Sequence, residues 1–284
     1  MLPTEVVRQL AIPTIATEPK QGRPFLKWVG GKRELLPALL PQFPKSFGRY
    51  YEPFLGGAAL FFHLAPQRAV LGDHNQRLIR AYQGVKADVE RVIELLQSYP
   101  HEKTFYLELR GREIDAGSDV EVAAWLIYLN KTGYNGLYRV NSKNIFNVPF
   151  GDHRKPNFCD QPTLRACAKS LAQTTLVHGD FEALTLSAAE GDLVYFDPPY
   201  VPLSTSSAFT SYTASGFGPA EQERLRDAAL RLKRRGVQVR LSNSATELVE
   251  RLYSPHFELV PVLAKRRVNR DLDGRGEIKE YLIK

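Results

Sequence analysis

Cysteine, methionine and tryptophan are scarce in this chain of 284 residues, which contains two, one and two of them, respectively. The two cysteines, Cys159 and Cys167, are too few for a disulfide framework, and no cysteine and histidine cluster has the spacing of zinc ligands. We therefore expect no bound metal. Long apolar runs and the layout of a signal peptide are also missing, so the sequence predicts a cytoplasmic protein without a membrane partner.

Acidic residues are too few to balance the basic ones, because 38 lysines and arginines face 31 aspartates and glutamates. The resulting net charge of +7 and isoelectric point near 9.3 favour an anionic partner such as nucleic acid. Basic residues interleave with tyrosines and asparagines between residues 134 and 155. Another five crowd the C-terminal region, at positions 265, 266, 267, 270 and 275.

Short apolar runs alternate with helical patterns along most of the chain, which is typical of a largely parallel α/β sheet covered by helices on both faces. Strands are predicted at residues 50–53, 69–73, 175–178, 193–197, 237–242, 258–262 and 280–283. Helices are predicted between them at residues 32–40, 58–64, 76–87 and 220–235. Residues 1–20 carry three prolines and no periodicity, so we interpret them as a loose leader.

The strand signal disappears between residues 88 and 158, where helical patterns occupy residues 89–99, 104–112 and 120–130. A polar and aromatic stretch comes after them, over residues 131–154. This change predicts a main domain made of residues 1–87 and 159–284, interrupted by a mostly helical insertion of residues 88–158.

A carboxylate, two prolines and an aromatic ring stand together at the end of the strand predicted at residues 193–197. They are Asp197, Pro198, Pro199 and Tyr200. Two prolines fix the backbone and cannot continue a sheet, so the carbonyls of Asp197 and Pro198 can point into a cleft. The Asp197 carboxylate and the Pro198 carbonyl could accept the two N–H groups of a planar amine while Tyr200 stacks on its ring. An ordinary turn has the same composition, so the segment is a candidate catalytic site that needs partners.

A glycine pair comes after the strand predicted at residues 50–53, and the next strand ends at Asp73. In a doubly wound sheet such strand ends are neighbours at the ligand-binding edge. Glycines let the backbone approach a ligand, and an acidic residue ending the second strand can bind ribose hydroxyls. The pattern Gly-x-Gly-x-x-Gly is absent, which argues against a ligand with a pyrophosphate. The predicted pocket residues of this region are Glu52, Pro53, Phe54, Gly56, Gly57 and Asp73.

Two other segments repeat the combination of an aromatic ring with a charge. Ahead of the first predicted helix stand Trp28, Gly30, Gly31 and Lys32, where the cation and the helix start could receive a carboxylate. After the strand predicted at residues 175–178, Asp180 could bind an adenine amine with Phe181 against the ring. A loop or helix cap is the alternative for each segment. Because all four segments converge on one sheet edge, together they favour S-adenosyl-L-methionine as cofactor, with S-adenosyl-L-homocysteine as product.

At this level of detail the chain resembles the DNA adenine-N6 methyltransferases of the Dam/DpnM type, from residue 25 to the C-terminus. The shared motifs are FLKWVGGK at 25–32, EPFLGG at 52–57, YNGLYRVN at 134–141 with FNVPFG at 146–151, and DPPY at 197–200. This order corresponds to the alpha arrangement of the family. The resemblance implies a Rossmann-like methyltransferase sheet, a target-recognition role for the insertion, and cofactor contacts at Trp28, Lys32, Asp73 and Asp197.

The resemblance also implies how the target would be read. A base amine inside a duplex cannot reach the methyl donor, so adenine must be flipped out. Tyr134 would then wedge beside the orphan thymine, Arg139 would read a guanine edge, and Leu137 and Pro149 would contact thymine methyl groups. The remaining DNA contacts expected from the family are Lys27, Asn135 and Asn141. These residues predict the site GATC in double-stranded DNA, with one departure, because Asp152 and His153 replace an aromatic residue found in some relatives.

Other functions stay open on the sequence alone. One alternative is a catalytically silent DNA-binding relative, although that protein should have lost Asp197 or the glycine pair. Another is a methylase of cytosine N4, protein glutamine or RNA adenine. The family associates serine at position 197 with cytosine and asparagine with glutamine, so aspartate favours adenine. We expect a monomer, and a restriction endonuclease acting separately is a partner that such enzymes can have.

Overall fold

The computed structural model describes residues 22–151, 153–202, 217–265 and 277–284, without the side chains of residues 264, 265 and 277–279. The leader at residues 1–20, Asp152 and the basic residues at positions 266, 267, 270 and 275 lie outside the described residues. Among the residues described, no helix combines the length and the apolar character needed to cross a membrane.

A seven-stranded sheet forms the centre of the molecule, with the strand order β3-β2-β1-β4-β5-β7-β6. The strands from β1 to β5 are parallel, and β7 lies antiparallel between β5 and β6. This arrangement confirms the predicted α/β fold with a largely parallel sheet. The bounds are β1 Tyr50–Glu52, β2 Ala69–Asp73, β3 Thr174–His178, β4 Leu193–Phe196, β5 Gln238–Ser244, β6 Leu259–Lys265 and β7 Glu277–Ile283.

Ten α-helices accompany this sheet in the described part of the chain. They are α1 Leu36–Leu39, α2 Ala59–Leu64, α3 Gln76–Ala87, α4 Val89–Ser98, α5 Lys103–Arg110, α6 Asp119–Thr132, α7 Gln161–Leu171, α8 Phe181–Thr185, α9 Pro219–Arg234 and α10 Glu247–Tyr253. The single helix predicted at residues 32–40 is wrong. Short 3-10 turns flank α1 there, because Pro37 and Pro41 lack the N–H group that a longer helix needs and occupy helix starts instead.

The helical region between β2 and β3 is organised around α6. Ser118 and Glu121 close a capping box at its start, and the helix is buried almost all round, from Val122 to Asn130. Its apolar side chains belong to the same core as those of α3 and of strands β1 and β2. The division of the chain at residues 88 and 158 stays a prediction, because α6 shares its core with the sheet. Residues 133–151, which carry the predicted target-reading side chains, therefore start from the end of a rigid, buried helix.

The loops after β1, β2, β3 and β4 lie at the carboxyl edge of the sheet. The chain runs outward from β1 through β2 to β3 and then returns to place β4 on the other side of β1. The change of direction between β1 and β4 creates a crevice, which is where open α/β sheets bind ligands. Phe54 and Asp197, just past the ends of these two strands, therefore face the same space.

The crossing of α3 and α6 offers a test of this packing. A methyl group at Gly84 would overlap the Asp119 carbonyl, lying 2.6 Å from its carbon and 2.9 Å from the Ala123 Cβ. We expect Gly84→Ala to lower the free energy of unfolding by about 1–3 kcal/mol despite its better helix propensity. Urea unfolding with an unchanged slope would measure it. The matched control is Gly111→Ala, whose methyl would meet only ordinary contacts at 3.6 Å; equal stability of the two variants would contradict the close crossing.

Candidate active site

Asp197 lies directly after β4 and forms an ion pair with Lys32, whose Nζ is 2.8 Å from its Oδ1. Lys32 Nζ also donates to the Gly30 carbonyl at 2.8 Å and lies 4.7 Å above the centre of the Tyr200 ring. The Tyr200 hydroxyl in turn donates to Glu280 Oε2 at 2.9 Å. Burial raises the pKa of Asp197, and the Lys32 cation opposes that rise. The arrangement holds a mostly buried carboxylate beside a cation and an aromatic face.

The backbone after the two prolines is fixed by side chains that the sequence did not indicate. Gln222 of α9 donates to the Pro199 carbonyl at 3.1 Å and accepts from Asn243 of β5 at 3.0 Å. The Asn243 side-chain oxygen accepts the Val201 N–H at 3.1 Å, and the Ser244 hydroxyl donates to the Val201 carbonyl. All three side chains are buried. A polar run at the carboxyl end of a parallel strand, residues 242–244, was the available signal.

Glu52 ends β1 and is buried beside the same site. The Tyr50 hydroxyl donates to its Oε2 at 2.9 Å, and the Phe61 backbone N–H at the start of α2 also donates to the carboxylate. Burial, reinforced by the negative charge of Asp197, outweighs these donors and the Lys32 cation and raises the pKa of Glu52 to about 8. Glu52 is therefore mostly protonated at neutral pH, and Asp197 is the acid of the pair that faces the Lys32 cation.

Asp73, at the end of β2, holds the glycine loop that connects β1 to α2. Its Oδ2 accepts the Gly56 N–H at 3.1 Å and its Oδ1 accepts the Asn75 N–H at 2.9 Å. Gly56 has a φ of +47°, and a Cβ at this position would lie 2.9 Å from the Trp28 ring. The loop, the carboxylate and the indole are thus in direct contact, and burial raises the pKa of Asp73.

The loop after β3 adds an aromatic wall. Phe54 stacks on Phe181 with ring centres 5.4 Å apart. Asp180, which the sequence assigns to an adenine amine, accepts the Glu182 N–H at 3.0 Å and forms an ion pair with Arg224 of α9. The Arg224 guanidinium also lies 4.4 Å from the centre of the Phe181 ring. Arg224 was missed in the sequence because it stands among many other charged residues of a surface helix.

The predicted target-reading residues occupy one hairpin-like segment beyond α6. Tyr134 and Arg139 are exposed, Leu137 is half-buried, and Pro149 and Asn135 are exposed beside them. The Pro149 carbonyl accepts the Tyr134 N–H at 2.9 Å, which brings the two ends of the segment together.

Arg139 is already engaged within this segment. Its Nε donates to the Asn147 side-chain oxygen at 2.7 Å, and its Nη2 donates to the Asn147 carbonyl at 3.1 Å. The side-chain oxygen of Asn141 accepts the N–H groups of Lys143 and Ile145, each at 3.0 Å, and thereby shapes the turn. The guanidinium is therefore held at the surface in a defined direction.

A cationic cleft of about 460 Å³ lies beside the segment. Its lining includes Lys27, Lys131, His153, Arg154 and Lys155. Burial, followed by the charge of Lys27, lowers the pKa of Lys131. So many cations in one cleft favour an anionic occupant. Within the described ranges, histidine, cysteine, aspartate and glutamate side chains form no group of three suited to a metal ion.

Glu52 provides a test of the electrostatics. The folded protein holds the Glu52 proton more tightly than the unfolded chain does, because folding raises the pKa of this side chain. The stabilisation that results is complete below the ordinary pKa of 4.5 and is lost as pH rises through the folded-state pKa of about 8. Glu52→Gln removes this dependence, so its stability relative to the unaltered protein should increase from pH 5 to about pH 8 in urea unfolding and then level off. Glu223→Gln on the exposed face of α9 controls for loss of a surface charge. A difference that stays constant with pH would mean that Glu52 is ionised in the fold.

Comparison with known proteins identifies the same family as the sequence motifs. The sequence model of the D12 class N6 adenine-specific DNA methyltransferase family matches residues 28–268. The chain is 45% identical over 269 residues to the type II methyltransferase M1.LlaDCHI of Lactococcus lactis subsp. cremoris, covering 92% of this chain and 94% of that protein. It is 38% identical to the type II methyltransferase M.MjaIII of Methanocaldococcus jannaschii, covering 92% and 98%. It is 34% identical to a DNA adenine methylase of Vibrio cholerae, covering 93% and 96%. The chain belongs to the D12 class of N6 adenine-specific DNA methyltransferases.

Proposed function

We propose that this methyltransferase transfers a methyl group from S-adenosyl-L-methionine to N6 of an adenine flipped out of duplex DNA at GATC sites. The observation that carries the proposal is the buried Asp197 carboxylate, held beside Lys32 in the crevice between β1 and β4. Family membership supplies the reaction type, and the crevice supplies the residues that the reaction requires.

The walls of the crevice suit the proposed methyl donor. Gly56 lets the indole of Trp28 pack directly on the glycine loop, and the partly buried Asp73 carboxylate beside it suits ribose hydroxyls. Phe54 and Phe181 offer an aromatic surface for adenine, and the buried ammonium of Lys32 suits a carboxylate. S-adenosyl-L-methionine would bring a methyl group on a positively charged sulfur, which is what an amine nucleophile requires.

Asp197 has two tasks in this proposal. Its carboxylate accepts a hydrogen bond from the adenine amine and orients the nitrogen lone pair away from the ring. It also stabilises the positive charge that develops on N6 in the transition state, where a fixed negative group contributes most. The bond that Gln222 donates to the Pro199 carbonyl and the bond that Asn243 accepts from the Val201 N–H fix the backbone just after Asp197, so the carboxylate needs little reorganisation.

The depth of Asp197 supports base flipping. Its side chain is only 19% exposed, so an adenine stacked in a duplex could not bring its amine to the carboxylate. Tyr134, which is 48% exposed on the segment of residues 133–151, is suited to fill the gap that the base leaves.

Several features favour GATC as the target. Arg139 is exposed, and while its Nε and Nη2 hold Asn147, its Nη1 and the second N–H of Nη2 remain as a pair of donors; arginine is the best bidentate partner of guanine. Leu137 and Pro149 lie on the same segment and suit thymine methyl groups. The cationic cleft around Lys131 and Lys155 suits the phosphates of the same duplex. The names of the two type II relatives favour a role that protects DNA from a separate restriction endonuclease.

Replacing Asp197 tests the catalytic assignment. We expect Asp197→Ala to reduce the rate of methyl transfer by about a hundredfold to a thousandfold, because removing one electrostatic group of this kind typically costs that much. Asp197→Asn should also be badly impaired, since it keeps an acceptor oxygen but loses the charge. Transfer of labelled methyl groups to a GATC duplex measures the rate, and gel-shift titration should show nearly unchanged DNA affinity. Methylation within tenfold of the unaltered enzyme would refute the role.

Replacing Arg139 tests how the site is read. We expect Arg139→Ala to weaken binding of GATC by about 1–3 kcal/mol and to leave duplexes already altered at the guanine nearly unaffected. Lys155→Ala in the cationic cleft is the matched control, because loss of a phosphate contact should weaken all sequences equally and lower the salt slope by about one. Competition titrations with single-base variants of GATC at several salt concentrations separate the two patterns. If Arg139→Ala behaves like the control, guanine is read by another residue.

A further inference from the structure

Asn130, near the end of α6, joins two segments that the proposed function treats separately. Its side-chain oxygen accepts the Lys27 N–H at 2.8 Å, and its amide nitrogen donates to the Lys27 carbonyl at 2.8 Å. The same nitrogen donates to the Gly136 carbonyl at 2.8 Å. Asn130 is fully buried, so these bonds have no competition from water. We call residues 22–31 the donor arm, because they border the proposed methyl-donor pocket, and residues 133–151 the reading segment. The Asn130 carboxamide therefore holds the donor arm against the reading segment.

The two segments also touch without an intermediary. A Cβ at Gly136 would lie 2.7 Å from the Lys27 Cβ, so the turn after α6 packs directly on the donor arm. Any displacement of the arm at Lys27 must therefore also displace the turn that carries Tyr134 and Leu137.

Tyr138 makes a second connection, next to Arg139. Its ring stacks on Trp28 with centres 5.5 Å apart and planes 28° apart. The side chains of Asn75 and Arg77, at the start of α3, lie close enough to its hydroxyl to oppose the rise in pKa that burial causes. Arg77 is itself held by two hydrogen bonds to Asp115, at 2.7 Å and 2.6 Å. Tyr138, the residue before Arg139, is thus held against the donor arm and the start of α3.

Both contacts of Tyr138 lead to the donor pocket. The other neighbour of Trp28 is the glycine loop, since a Cβ at Gly56 would lie 2.9 Å from the indole. Asn75 donates its N–H to the Asp73 carboxylate at 2.9 Å. A ligand against Gly56 and Asp73 would therefore contact the immediate neighbours of Trp28 and Asn75, which adjoin Tyr138.

We propose that Asn130 and Tyr138 are positioning residues that couple occupation of the methyl-donor pocket to reading of the target guanine by Arg139. The inference rests on the proposed function. A ligand that orders Trp28 and the Asp73 loop also orders the support of Tyr138, so less conformational freedom is lost when Arg139 meets its base. The coupling is reciprocal, because linked binding equilibria must change by the same factor in both directions.

The test measures a ratio of affinities in the full-length enzyme. S-adenosyl-L-homocysteine is used as the probe, because it cannot transfer a methyl group. The dissociation constant is measured for a GATC duplex and for a duplex altered at the guanine, each with and without the probe. We expect the probe to strengthen GATC binding about tenfold more than binding of the altered duplex, which lies in the usual range of coupling factors, about 5- to 150-fold.

Variants of Tyr138 then separate positioning from mere stability. Tyr138→Ala should bring the coupling factor close to one, and Tyr138→Phe, which keeps the stacked ring but loses the hydroxyl contacts, should give an intermediate value. Ile145→Ala is the matched control, because Ile145 is 47% exposed on the same segment; it should keep the full factor. A purely structural role would lower the affinities for probe and DNA while leaving the coupling factor unchanged. Asn130→Asp, checked for folding by its thermal transition, should behave like Tyr138→Ala.

The outcomes distinguish this inference from the proposed function. If the unaltered enzyme binds neither the probe nor GATC with preference, the proposed function fails. If it binds both but its coupling factor is one, or if Tyr138→Ala keeps the full factor, only the coupling is refuted. A factor that falls in the order unaltered enzyme, Tyr138→Phe, Tyr138→Ala supports the inference.

Discussion

Keeping a carboxylate charged while most of it is buried is the constraint on which the rest of this structure depends. Asp197 cannot rely on water, so the Lys32 cation must come within 2.8 Å. That contact requires the arm before α1 to reach across the carboxyl edge of the sheet. The neighbouring acid, Glu52, cannot share the charge, because its burial beside Asp197 raises its pKa to about 8. The order of the strands and the path of the arm before α1 therefore both serve to place the Lys32 cation beside Asp197.

The sequence predicts the sheet well because each strand carries its own local signal. Strand β2 and helix α3 have the predicted bounds, and all seven strands overlap the apolar runs from which they were predicted. The broken helix around α1 shows the limit of periodicity, since Pro37 interrupts a pattern that is otherwise helical. Helices α7, α8 and α10 were not predicted. Two of them have seven residues or fewer, too few for a periodic pattern to stand out.

The candidate site is less completely predictable from the sequence than the sheet is. The residues proposed to meet a ligand stand in recognisable motifs; the structure brings Trp28, Gly56 and Asp73 into contact and pairs Asp197 with Lys32. Residues that hold those motifs in place, such as Gln222 and Asn243, leave a weaker signal, of which only the polar run at residues 242–244 stands out. Their hydrogen bonds join segments far apart in the chain, and any polar residue of suitable length has the same appearance in a sequence. The Arg224 contact to Asp180 is hidden for the same reason.

The donor arm shows how far a single side chain can replace secondary structure. Residues 22–31 contain neither helix nor strand, yet Phe25 and Leu26 are buried in the main core. Asn130 offers Lys27 one acceptor and one donor, which is what a neighbouring β-strand would offer to its backbone. The arm obtains its order from α6 at Lys27 and from α7 at Gly22 and Arg23, which donate to Ser170 and Thr163, so it needs no repeating pattern of its own. Its sequence is therefore free to hold a lysine, a tryptophan and a glycine pair, the residue types proposed for ligand contact.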